Sequence, residues 1–216
     1  MSSETDIFDM IFLRHGESVG NAESRWQGQA DFPLTDKGRA QAQALANRWK
    51  EEGRSFDSII ASPLERAQVT AETIANALGL TVETDPIWME RNIGEIAGMT
   101  GEEVNKRLPD RRFVTPFSAI VGDEGEGDWA LYLRAGQALH ILLRRKPGKY
   151  LVVSHGGLLN QVMYAIVGIT PQANFSGPRF RFKNTGFAHV SYLPKSHRWQ
   201  IDSLNDRSHW NGKDSD

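Results

Sequence analysis

Two short stretches of this chain carry residues that could do chemistry. Arg14-His15-Gly16 follows an apolar run from Met10 to Leu13, and Ser154-His155-Gly156-Gly157 follows another, Tyr150 to Val153. An apolar strand that turns abruptly polar at its end is where α/β proteins place ligands. Imidazole is a nucleophile or base near neutral pH. The Arg14 guanidinium is a fixed positive fork suited to phosphate or carboxylate, and glycine lets the chain turn sharply or approach a ligand. One His-Gly at a strand end also reads as a hydrogen-bonded loop histidine. Two in the same context point to a shared site, if both strands are parallel and near the centre of one sheet. The remaining histidines, His140, His189, His197 and His209, lack this context and read as structural or surface residues.

Other side chains fall where they could join that site. Arg66 follows Ser62-Pro63-Leu64-Glu65 and sits in the first turn of an expected helix, where a guanidinium adds to an anion-attracting N-terminus. It reads equally as a surface arginine paired with Glu65 or Glu72. Asn21 could donate its amide to an oxyanion or serve as a turn residue. Arg25, Trp26, Gln27 and Gly28 could line the same mouth. Glu90, beside Trp88 and Met89, would be partly buried, a setting that suits a proton donor; Glu95 competes for that role. Trp26 and Trp88 read either as walls for a leaving group or as core. No Gly-x-x-x-x-Gly-Lys-Ser/Thr or Gly-x-Gly-x-x-Gly loop is present, and no acid-rich ligand set accompanies the histidines, so no metal is expected. Two imidazoles and two guanidiniums suit a dianionic phosphoryl group.

The elements that must position these groups are legible from periodicity. Ile7–Leu13, Ser58–Ala61, Thr81–Thr84, Tyr150–Val153, Gly186–Leu193 and Trp199–Leu204 read as strands. Helices are expected from Thr35 or Asp36 to about Glu52, with Ala40, Ala44, Leu45 and Trp49 inward. Another, capped by Ser62 with Pro63 in its first turn, carries Leu64, Ala67, Ala71, Ile74 and Leu78. A third runs from Asp128 to about Arg145 with Trp129, Leu133, Leu139 and Leu143 inward, and a buried one follows His155. Gly101–Leu108 reads as a short helix. The excursion over 98–127, with Arg111-Arg112 and Asp123-Glu124, reads as a cap over the mouth or as an exposed loop.

The 216 residues suit one domain, 1–216, with polar ends at about 1–6 and 207–216. A net charge of −2 gives no basic field for nucleic acid. No apolar run reaches membrane-spanning length, and Met1–Asp6 is unlike a signal peptide. The chain has no cysteine, which suits a reducing cytoplasm. A homo-oligomer is left open.

Taken together, Leu-Arg-His-Gly-Glu-Ser with Asn21, Leu34-Thr35 with Gly38, Ser62-Pro63-Leu64 with Arg66-Ala67, Glu90 with Gly94 and Gly98, and Ser-His-Gly-Gly resemble the histidine phosphatase superfamily of phosphoglycerate-mutase-like proteins. The resemblance spans about Ile11 to Leu204. It implies a three-layer α/β/α sandwich with a mostly parallel sheet. It also implies a phosphomonoester hydrolase acting on a small phosphorylated metabolite through a phosphohistidine. By the same resemblance His15 is the nucleophile, Arg14, Arg66 and His155 hold the phosphoryl oxygens with Asn21, and Glu90 protonates the leaving oxygen. Gln27, Gly28 and Gly156 complete the expected binding residues. The alternative within the family is a phosphoglycerate mutase dependent on 2,3-bisphosphoglycerate, the one case needing a cofactor. The mutases carry Glu-Arg-His-Tyr-Gly where this chain has Glu90-Arg91-Asn92-Ile93-Gly94, which favours the phosphatase. A non-catalytic phosphate-binding protein is the third reading, and retention of Arg14, His15, Arg66, Glu90 and His155 argues against it.

Overall fold

The computed structural model describes residues 6–108, 115–119, 125–172 and 177–212. Among the described residues six strands form one sheet: β1 (Phe8–Arg14), β2 (Ser58–Ala61), β3 (Val82–Thr84), β4 (Gly148–Ser154), β5 (Phe187–Leu193) and β6 (Arg198–Asp206), in the order β3-β2-β4-β1-β5-β6. The first four in that order run parallel; β5 pairs antiparallel with β1, and β6 pairs antiparallel with β5. The sheet is therefore mostly parallel, with β1 and β4 side by side at its centre. Their register pairs Arg14 with Ser154, so the residues that follow, His15 and His155, leave the same edge together.

β1 shows why the sheet is covered on both faces. Side chains alternate along a strand. Phe8, Met10 and Phe12 pack with Leu131, Leu139, Leu158 and Val162 on one face, while Ile11 and Leu13 pack with Leu45, Trp49, Ala71 and Ile74 on the other. The first face is closed by α5 (Asp128–Leu143) and α6 (Gly156–Val167), the second by α2 (Asp36–Glu51) and α3 (Glu65–Leu78). This is a three-layer α/β/α sandwich. Two short helices, α1 (Val19–Ala22) and α4 (Gly101–Arg107), lie in the connections.

Helix positions match the sequence expectations better than helix phases do. Thr35 caps α2 by accepting the Gly38 N–H at 3.0 Å. Its buried stripe is Gly38, Gln41, Ala42, Leu45, Ala46 and Trp49, and Ala40 is exposed. On α5 the inward stripe is Leu131, Ala135, Ala138 and Leu142, with Leu139. Leu133, expected inward, is 57% exposed; two residues from Leu131 it is rotated by about 200°. Alanine on the inner face lets α5 approach the sheet closely, and a search for large apolar residues misses that face. α3 begins at Glu65, with Leu64 as its N-cap and no side-chain cap. Ser62 and Pro63 thus precede the helix, and the Ser62 hydroxyl is used elsewhere. Arg111, Arg112, Asp123 and Glu124 lie outside the described residues, as do 1–5 and 213–216.

Candidate active site

His15 is buried at the tip of β1, and its backbone N–H donates to Ser154 O at 3.0 Å, tying the tips of β1 and β4 together. Its Nδ1 lies 2.7 Å from Gly16 O. A carbonyl can only accept, so Nδ1 carries the proton and Nε2 keeps its lone pair. Burial, then the charges of Arg66 and Arg14, holds the His15 pKa well below 6.5. The ring is neutral at pH 7, with a nucleophilic nitrogen in a cationic surround.

His155 stands next to it, with ring centroids 5.1 Å apart. It is the N-cap residue of α6. Its Nε2 is 2.8 Å from Ser62 Oγ, which also accepts the Leu64 N–H at 3.3 Å. No other acceptor serves the Ser62 hydroxyl among the described residues, so its O–H donates to Nε2 and the His155 proton resides on Nδ1. That Nδ1 is buried without a partner among the described residues. Burial, then Arg66, His15 and Arg14, holds the His155 pKa well below 6.5 as well. It is a neutral donor beside the nucleophile.

Arg66 is 1% exposed and, among the described residues, bonds to neither Glu65 nor Glu72. Its two terminal nitrogens donate to Ala30 O at 2.9 Å and Gly28 O at 2.7 Å, leaving Nε without a partner among the described residues. Burial pushes its pKa down to about 10, against the pull of Glu90 and Asp31, so it stays charged at pH 7. The loop after β1 delivers those carbonyls through Gly28, whose φ of +50° is left-handed; a Cβ there would lie 2.4 Å from Ile93 Cγ1. Arg14 is anchored by donation to Phe182 O at 2.8 Å.

Glu90 arrives on the irregular segment after the turn Pro86–Trp88. Its carboxylate accepts three backbone N–H groups: Arg91 at 2.7 Å, Gly157 at 3.0 Å and Leu158 at 3.1 Å. The N-terminus of α6 therefore holds this carboxylate. A Cβ at Gly157 would come within 2.5 Å of Glu90 Oε1, so only glycine there leaves the carboxylate in this place. Glu95 instead pairs with Arg107 at the surface.

Arg14, His15, Arg66, Glu90 and Gly157 line a cavity of about 280 Å³, which Arg25, Gln27, Gly28 and Gly156 also border. It shares Gln27, Gly28, Glu90, Gly156 and Gly157 with an adjoining vestibule of about 800 Å³, bordered also by Trp26, Ile93, Gln161 and Phe180. Trp88 is core, packed on Phe12 at 6.1 Å. Asn21 borders neither cavity. Its carboxamide oxygen accepts from Ser18 and from Asn184 Nδ2, and Asn184 also donates to His15 O at 3.1 Å.

Sequence reasoning missed Ser62, read as a helix cap, and Asn184, in a stretch without periodicity. The second His-Gly was the available signal for Ser62, since a buried donor histidine needs a partner to fix its tautomer. Asn184 left no comparable signal.

A strand-tip imidazole with an unprotonated Nε2, beside the buried Arg66 and half-buried Arg14 guanidiniums and a second imidazole, suits a phosphoryl-handling enzyme. The family model of the histidine phosphatase superfamily (branch 1) matches residues 10–207, and the chain belongs to that superfamily. It is a phosphomonoester hydrolase acting on small phosphorylated metabolites. A curated relative, "Probable phosphoglycerate mutase GpmB" of Yersinia enterocolitica, is 35% identical over 212 residues, covering 94% of this chain and 95% of that protein. Among solved structures, Bacillus stearothermophilus YhfR superposes with a TM-score of 0.80 at 27% identity, covering 94% of this chain and 98% of that one. A mycobacterial glucosyl-3-phosphoglycerate phosphatase complexed with VO3 has a TM-score of 0.75 at 28% identity, covering 92% and 98%. Among the described residues no helix is long and apolar enough to cross a membrane.

Proposed function

We propose that His15 Nε2 attacks the phosphorus of a bound monoester, forming a phosphohistidine that water then hydrolyses. Arg14 and Arg66 hold the equatorial oxygens, and the His155 Nδ1–H donates to one of them; Asn21, through Asn184, steadies the His15 backbone. Glu90 as the acid gives its proton to the departing alkoxide. As the carboxylate it then takes a proton from the attacking water, and its three N–H donors suit that form. Splitting one displacement into two lowers each barrier. The cationic pocket supplies the electrostatic share, usually the largest, and a general acid adds about 10²–10⁴-fold.

The observation that carries this reading is the His15 Nδ1 contact to Gly16 O, which commits the ring to a lone pair on Nε2. The vestibule of about 800 Å³ has room for a leaving alcohol well beyond three carbons. The phosphatase named for a glucosylated phosphoglycerate is in keeping with that size.

The mutase reading draws on the name of the curated relatives. A mutase must also hold the carboxylate of its substrate. Arg91, the cation next to Glu90, lies 2.6 Å from Asp128 in a buried pair, and its charge is already matched. Arg179 and Arg181 also line the vestibule, so the choice rests on Asn92-Ile93 standing where the mutases carry His-Tyr; on that ground we favour water as the final acceptor, with no bisphosphate cofactor. Residues 1–216 act in this reading as one catalytic domain, in the cytoplasm, where a cysteine-free chain is at home. The test is a product assay on a phosphomonoester panel and on 3-phosphoglycerate, with and without 2,3-bisphosphoglycerate. Inorganic phosphate released without the bisphosphate is the expected result; 2-phosphoglycerate formed only in its presence contradicts it.

A further inference from the structure

The segment that carries Glu90 has little regular structure of its own, yet its backbone is gripped from outside. Arg134, on α5, donates through one terminal nitrogen to Ile87 O at 2.9 Å and Met89 O at 2.7 Å, and through the other to Glu90 O at 3.1 Å. The same guanidinium is held from behind by Glu126, with Nε and the second terminal nitrogen each 2.6 Å from a carboxylate oxygen. Glu126 then reaches past Glu90. Its Oε2 accepts the Asn92 N–H at 2.8 Å, and its own N–H donates to Asn92 O at 2.7 Å.

One ion pair thus fastens the chain on both sides of Glu90, at 87–90 and at 92. Five donors in a rigid plane make arginine suited to gathering several carbonyls at fixed spacing, which a lysine ammonium does not reproduce. The pair is largely sheltered, at 18% and 20% side-chain exposure, and its two-point geometry is of the strong kind. Neither Arg134 nor Glu126 borders the phosphoryl cavity. Glu126 lies near the end of the 98–127 excursion and brings a carboxylate to the far side of the Glu90 segment.

We propose that the Arg134–Glu126 pair is a positioning device for the proton donor, setting the backbone at 87–92 so that the Glu90 carboxyl meets the leaving oxygen. This rests on the reading of Glu90 given above. The pair acts only through Glu90, so its loss harms the step in which the leaving oxygen needs a proton. In that half-reaction it spares esters whose leaving group departs unprotonated, whereas the later water step is common to all esters. A misplacement of about 1 Å can cost about 10²-fold.

The test measures kcat/KM, which reports phosphohistidine formation and excludes the later water step, for an alkyl phosphate and for 4-nitrophenyl phosphate in Glu90→Gln, Arg134→Lys, Glu126→Gln and each clamp variant combined with Glu90→Gln. Arg134→Lys keeps the charge near His155 while losing the fork, and Glu126→Gln keeps the volume, so both are suited to remain folded; thermal melts check this. Glu90→Gln is expected to slow the alkyl ester by about 10²-fold or more and the nitrophenyl ester far less. The clamp variants are expected to show the same selectivity at about 10-fold or more, and to add nothing in the Glu90→Gln background. Equal slowing of both esters by the clamp variants, full additivity with Glu90→Gln, or unaltered rates overturns the proposal while leaving Glu90 as the acid. Equal slowing of both esters by Glu90→Gln itself overturns the role of Glu90 and the clamp with it.

Discussion

Replacing Ser62 by alanine removes one buried hydroxyl and tests how the second histidine works. Ser62 Oγ is 2.8 Å from His155 Nε2, and both residues are 0% exposed. In the proposed mechanism the hydroxyl fixes the proton on Nδ1, so that this nitrogen can donate to a phosphoryl oxygen. In Ser62→Ala the ring can carry its proton on Nε2 instead, and Nδ1 then turns a lone pair toward an anion. A hydrogen bond to a charged group contributes about 1.5–3 kcal/mol. Losing it in the transition state slows kcat/KM by about 10- to 150-fold. The folded state also suffers, because Nε2 becomes a buried group without a partner, at about 1–3 kcal/mol. The assays are steady-state kinetics, thermal unfolding and ¹⁵N chemical shifts of the His155 ring, which distinguish the tautomers. A folded Ser62→Ala enzyme with wild-type kcat/KM, or a wild-type ring already protonated on Nε2, refutes the reasoning.

Three further outcomes follow from the same geometry. His15 and His155 both have pKa values held well below 6.5 by burial first and the neighbouring cations second. Below 6.5 the unfolded chain binds protons that the folded chain refuses, so stability is full above that pH and declines as pH falls toward the folded values. The slope is up to about 1.4 kcal/mol per pH unit for each ring, and denaturant titrations from pH 7 to 5 read it; a flat profile contradicts the neutral assignment. Gly157→Ala places a Cβ 2.5 Å from Glu90 Oε1, the movable end of a side chain. The variant is expected to fold while losing turnover of alkyl phosphates by about 10-fold or more, and wild-type alkyl turnover would count against it. Arg66→Lys gives up the fork that spans Gly28 O and Ala30 O, and is expected to lower kcat by about 10²–10³ and to weaken vanadate inhibition, which a competition assay measures.

Most of the site was legible because it sits where strands end. Apolar runs followed by His-Gly locate β1 and β4, and their adjacency in the sheet brings His15 and His155 together. Arg66 was harder. Its position after β2 was plain, but an arginine near Glu65 and Glu72 looks like a surface residue until the carbonyls of Gly28 and Ala30 are seen to fold over it. Such a contact joins residues 36 and 38 positions apart and leaves no local pattern. The phase of α5 was hidden for a different reason: Ala135 and Ala138 face the core while Leu133 faces out, so size and apolarity mislead there. Arg134 was invisible because it acts through hydrogen bonds to other residues, and residue type alone does not reveal a partner; for Ser62 the second His-Gly was the one indirect signal.

The most direct measurement of the central claim is rapid mixing of the enzyme with a ³²P-labelled phosphomonoester, quenching in alkali and mapping the labelled peptide. The account predicts acid-labile, alkali-stable label on His15 during turnover, and none in His15→Asn. Phosphate release with no label on His15, or label on His155 instead, contradicts it.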